Sequence, residues 1–139
     1  MKSKVIIWLK YAKDDLDTIK HIVEDVNLSN VVAFHAQQAI EKSFKALISQ
    51  RETKIKKTHD LLTLYKLIDT HIVIDNMTLL ELVNKTYIET RYPGSFGFLP
   101  SGKPTLLEAK EFYDFAQNIF NQVSKVLNVT NVDLIETPS

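Results

Sequence analysis

"RYPGSFGFLPSGKP", residues 91–104, holds all three glycines of the chain and three of its four prolines. The ninety residues before it contain neither, so the two strongest breakers of helical structure are missing from that whole stretch. After it only Pro138 remains. Long helices on both sides of one irregular window are therefore expected.

Working back from that window, Leu9, Ala12, Leu16, Ile19, Val23 and Val26 recur at alternating spacings of three and four, which makes one helical stripe. Lys13, Asp14, Asp17, Lys20 and Asp25 lie off it. "NLSN" at 27–30 separates a second helix, with Ser29 or Asn30 as its N-cap, running to about Gln50. "RETKIKK" forms a basic connection, and Thr58 caps a third helix through Ile68. "HIVID", residues 71–75, has strand propensity but no partner strand and is read as a loop. A fourth helix is expected from Met77 to Arg91, stopped by Pro93, which pushes Tyr92 out of helical geometry. Forward of the window, "TLLE" at 105–108 has the spacing of a capping box. It opens a fifth helix carrying Ala109, Phe112, Ala116, Ile119, Phe120, Val123 and Leu127. The expected fold is all-α, an up-and-down bundle of four long helices with an additional short helix over residues 1–128, followed by a frayed tail at 129–139.

At 139 residues the chain suits one domain, and its formal net charge of zero argues against charge-driven affinity for nucleic acid or an anionic membrane. There is no cysteine, hence no disulfide framework and no thiolate chemistry. The apolar run in "MKSKVIIWLKYAKDD" is too short for a signal sequence or a membrane span, so a cytoplasmic protein is expected. His21, His35 and His71 lack metal-ligand spacing, and neither metal nor cofactor is expected.

"FHAQQAIEKSFKAL", residues 34–47, carries more polar chemistry than a core helix needs. On a helical wheel Val32, Ala33, Ala36, Ile40, Ser43, Phe44 and Leu47 share one broad face, with Gln37 at its edge. His35, Gln38, Lys42 and Lys45 lie opposite, beside Glu41, with Phe34 among them. Either Glu41 and Lys45 form an i, i+4 surface pair while the glutamines face solvent, or Gln38, Lys42 and Lys45 face a groove.

"AFHAQQAIEKSFKALI", "KKTHDLLTLYKLI" and "ETRYPG" together resemble the HEPN domain family over roughly residues 4–128. That resemblance implies a four-helix bundle, often dimeric, frequently encoded beside a small nucleotidyltransferase, with which it binds nucleotide or substrate. Another branch of the family consists of metal-independent ribonucleases, often toxins, with an Arg-x(4–6)-His motif. This chain has only Arg51 and Arg91; no histidine follows Arg91, and His59 comes eight positions after Arg51. The general acid–base partner of such a nuclease is missing, and "RYPG" resembles the non-nuclease branch.

The chain is therefore expected to be a binding module without catalytic residues, with a metal-independent RNase toxin as the alternative. Lys42 and Lys45 would converge with Arg91 on an anionic group, because Glu41 offsets only one of the two lysines. Gln38 would orient the ligand, with His59 and Tyr92 bordering the site. His59 and Asp60 also suit a simple capping turn at the start of the third helix. Phe34 among polar groups suggests a homodimer, and residues 93–104 are expected to form a mobile loop beside the site.

Overall fold

The computed structural model describes residues 2–51, 54–55, 57–87 and 97–135. Among these residues there are six α-helices and no strand: α1 (Lys2–Ile22), α2 (Ser29–Ser49), α3 (Leu61–Lys66), α4 (Met77–Asn84), α5 (Leu106–Leu127) and α6 (Asn131–Ile135). The four that run eight residues or more, α1, α2, α4 and α5, make the expected all-α bundle. No helix among the described residues is long and apolar enough to cross a membrane.

α2 is the centre. It packs along α1 on one side and α5 on another, and touches α3 and α4. Its sequence explains the position: Ala33, Ala36, Ala39 and Ala46 are fully buried and let neighbouring helices approach, while Val32, Ile40, Phe44 and Leu47 fill the space between. Leu9, Ala12, Leu16 and Ile19 of α1 meet them, as do Ala109, Phe112, Ala116, Ile119 and Val123 of α5. The expected capping box at Thr105 and Glu108 is complete in both directions. α5 ends at Asn128, whose left-handed backbone asparagine tolerates better than most residues.

Several boundaries differ from those expected. α1 stops at Ile22, because the Asp25 carboxylate accepts from Asn27 N and opens a 3-10 turn over Val26–Leu28, which leaves Val26 exposed. Neither Ser29 nor Asn30 caps α2; Leu28 stands at that position without a side-chain bond. The Ser29 hydroxyl is instead buried and donates to Pro104 O at 2.6 Å. α3 is capped by Asp60 rather than Thr58 and ends at Lys66. α4 ends at Asn84, well short of Arg91. Thr86 turns the chain, with its amide and hydroxyl both donating to Val83 O. Arg91, Tyr92 and Pro93 lie outside the described residues. Beyond residue 128, where a tail is expected, α6 forms and Val129 and Leu134 are buried.

Of the loop expected to be mobile, residues 93–96 lie outside the described residues, and 97–104 make defined backbone contacts. Gly97 N donates to Thr86 O at 2.7 Å, Leu99 and Gly102 bond each other twice, and Lys103 Nζ reaches Asn27 O. Gly97 has φ +83°, and a Cβ there would sit 1.7 Å from the carbonyl oxygen of Asn30. Only glycine fits. The "HIVID" segment is a loop, as expected, with Ile72 and Ile74 buried and Val73 exposed. Its backbone is served by side chains in place of a partner strand. The Gln122 amide bonds both polar groups of Val73, and the Tyr65 hydroxyl bridges Ile72 O and Ile74 N.

Candidate functional site

The polar face of α2 turns out to be largely internal. Gln37 is fully buried, and Glu41 and Lys45 are 4% and 7% exposed. The i, i+4 pair between Glu41 and Lys45 exists, with Nζ 2.9 Å from Oε2, but it is a buried pair and not a surface one. A buried carboxylate persists only with its lone pairs satisfied. Glu41 accepts from Lys45 Nζ, from Gln37 Nε2 at 3.3 Å, and from His59 Nδ1, which lies 3.0 and 3.1 Å from its two oxygens. Gln37 Nε2 also donates to His59 O, and Gln38 Nε2 donates to Gln37 Oε1 at 2.6 Å. α2 therefore holds the turn before α3 by both the backbone and the ring of His59.

That turn is built from local chemistry. The Thr58 hydroxyl accepts from Asp60 N, and the Asp60 carboxylate accepts from Thr63 N and the Thr63 hydroxyl to start α3. From the end of α4, the Asn84 side chain accepts from Leu61 N and donates to Asp60 Oδ1 at 2.7 Å. The Thr63 hydroxyl, and after it the Asn84 amide, hold the Asp60 carboxyl below its ordinary pKa. The capping turn expected at His59 and Asp60 is present, and His59 serves the Glu41 cluster as well.

Lys57, Thr58, His59, Asp60, Asn84 and Tyr87 line a cleft of about 340 Å³. The His59 side chain is 48% exposed, and its ring centroid is 4.5 Å from that of Tyr87. With Nδ1 donating to Glu41, Nε2 remains for the cleft, as an acceptor in the neutral ring and a second donor in the imidazolium. A carboxylate that orients an imidazole in this way fixes which nitrogen meets a ligand.

On the α1 side of the same α2 face, Asp15 makes a second cluster. It is 6% exposed and accepts from His35 Nδ1 and Lys42 Nζ, both at 2.7 Å. Lys42 Nζ lies 6.0 Å from the centre of the Tyr11 ring, and Lys45 Nζ 5.6 Å from that of Trp8. The expected need for a phosphate to offset the second lysine is thereby removed. Each lysine already has a protein carboxylate.

Of the site residues expected from sequence, Lys45 and His59 meet through Glu41, and Gln38 joins them through Gln37. Lys42 belongs to the Asp15 cluster, and Arg91 and Tyr92 fall outside the described residues. Phe34, read as a dimer signal, packs between His35 and Tyr87 with ring separations of 5.5 and 6.4 Å. Asn84 and Tyr87 carry no sequence signal, since no periodicity marks them, whereas Lys57 lies in the basic run at 51–59, whose readings are a solvated loop or a phosphate-facing patch. Asp15 was legible: it follows Ala12 by three and precedes Ile19 by four, so a carboxylate stands on the buried stripe. A family model described as HEPN domain matches residues 5–126. No curated protein and no solved structure matches the chain.

Proposed function

The chain belongs to the HEPN domain family, and on that premise we propose that it is a nucleotide-binding module that acts with a small nucleotidyltransferase partner and performs no chemistry of its own. The observation that carries this is the cleft around His59. It has the volume of a small-ligand site. It combines the Lys57 ammonium, an imidazole held by a buried carboxylate, and the Tyr87 ring, which suit a phosphate and a planar base. In this assignment His59 and Lys57 take the anionic group. Lys45 acts from beneath, holding the charge of Glu41. Gln38 and Lys42 extend the same α2 face, and Arg91 and Tyr92 follow Tyr87 by four and five residues along the chain. The active assembly is proposed to be a cytoplasmic homodimer, which sedimentation at micromolar concentration tests directly.

The metal-independent ribonuclease alternative has weaker support, since no histidine stands five to seven positions beyond either arginine, as four to six intervening residues require. Purified protein is expected to leave RNA intact in the presence of chelator. Cleavage that disappears in His59→Ala would reverse the assignment.

Binding is tested by melting curves with adenosine mono-, di- and triphosphates on the wild type, His59→Ala and Arg91→Ala. A nucleotide at about 100 times its dissociation constant stabilises the folded state by about 2.7 kcal/mol. For a domain of this size that raises Tm by roughly 5–10 °C. A shift in the wild type that His59→Ala loses supports the cleft. Equal shifts in all three proteins would place the ligand elsewhere.

A further inference from the structure

The two polar clusters on α2 repeat one constellation. In each, a buried carboxylate (Asp15 or Glu41) accepts from the Nδ1 of one histidine (His35 or His59) and from one lysine (Lys42 or Lys45), at 2.7–3.1 Å. The two lysines are three residues apart on one helix, so the clusters sit side by side on a single face.

Helix pairing alone does not account for the Asp15 cluster. An apolar pair of similar volume would join α1 to α2 at least as well, since a buried ion pair is seldom more stable than its apolar replacement. The seam around Asp15 is otherwise formed by Leu9, Ala12, Leu16 and Ile19. One cation would also neutralise the carboxylate, yet it receives two donors. Both donors remain reachable: the Lys42 and His35 side chains are 24% and 25% exposed. Lys42 has two further N–H groups, and His35 retains Nε2. Tyr11, 53% exposed, stands beside Lys42 and presents a ring surface to solvent.

We propose that Asp15, His35, Lys42 and Tyr11 form a second anion subsite, so that the α2 face takes a nucleoside bearing phosphate at both its 3′ and 5′ ends. This rests on the nucleotide assignment of the His59 cleft and narrows it. One phosphate meets His59 and Lys57, and the other meets His35 and Lys42. Such a ligand is either a free nucleoside bisphosphate or part of an oligonucleotide, and in the second case Tyr11 offers a stacking surface for the next base.

Trp8, the one tryptophan in the chain, lies beside Lys45 of the Glu41 cluster and is the probe whose emission is followed. The probes are adenosine 5′-monophosphate, adenosine 3′,5′-bisphosphate and the dinucleotide pApA. Wild-type protein is expected to bind the bisphosphate roughly tenfold or more tightly than the monophosphate, the size of one added charge-assisted contact. In Lys42→Gln, which removes the charge but keeps an amide donor, that ratio should fall below about twofold. Circular dichroism confirms that the variant is folded. A further gain for pApA that Tyr11→Ala removes assigns the ligand to oligonucleotide, and no further gain assigns it to free nucleoside bisphosphate. Equal wild-type affinity for the monophosphate and bisphosphate, or a ratio retained in folded Lys42→Gln, overturns the second subsite and leaves the first standing. No binding of any probe overturns both.

Discussion

Removing the Glu41 carboxylate tests whether the buried cluster is organised around it. In Glu41→Leu the Lys45 ammonium, with a side chain only 9% exposed, keeps no charged partner among the described residues, and the Trp8 ring lies beside it. Stranding a buried charge costs about 3–5 kcal/mol, a large part of the 5–15 kcal/mol typical of a whole domain. In Lys45→Met the carboxylate keeps Gln37 and the half-exposed His59 as hydrogen-bond donors. That loss should be smaller, about 1–3 kcal/mol. The double variant replaces the pair with apolar groups of similar volume. Gln37 still donates to His59 O, and His59 Nδ1 can be hydrated. It should lie within about 1 kcal/mol of the wild type. The cycle therefore predicts a coupling of roughly 4–8 kcal/mol, read from urea midpoints at constant m. Glu41→Leu alone should lower Tm by about 10–20 °C. Should Lys45→Met prove the more costly substitution, or Glu41→Leu stay within about 1 kcal/mol of the wild type, the cluster is not organised around the carboxylate.

Two further outcomes are expected. Gly102→Ala meets only backbone strain at φ +115°, about 1–3 kcal/mol, because nothing lies within 4 Å of the added methyl. Gly97→Ala adds a collision with the Asn30 carbonyl on top of similar strain, and thermal unfolding should place it at least about 2 kcal/mol below Gly102→Ala; equal melting temperatures would mean that the close approach is absent. The folded-state pKa of Asp60 is depressed, so its contribution is full above the unfolded carboxyl value near 3.8 and fades as pH falls through the lower folded value. The stability gap between wild type and Asp60→Asn should thus be open at pH 7 and close in acid below about pH 4, and a gap that is constant with pH would show that the charge contributes nothing.

The sequence by itself determined the order of the first five helices, though not all their ends, and missed α6. Ninety residues without glycine or proline leave the backbone no local reason to turn except where capping side chains supply one. The stripes on α1 and α5 each name a buried face that recurs in the core. The capping box was legible for the same reason: its residues lie three apart, and their interaction depends on nothing farther away. Family membership was visible in the run around Gln37–Leu47 and the Thr58–Leu61 turn.

Tertiary structure decided what long-range contacts decide. A wheel assigns Glu41 and Lys45 to a polar face, but it cannot know that His59, eighteen residues from Glu41, covers them and makes that face interior. It cannot show that Lys42 is answered by Asp15 across the α1–α2 seam. Asn84, Lys57 and Tyr87 became cleft residues only when the end of α4 met the start of α3, and no periodicity encodes that meeting. Helix ends moved for the same reason. Asp25, Asp60 and Thr86 offer the backbone bonds that compete with another helical turn, and which of them wins depends on the packing around it.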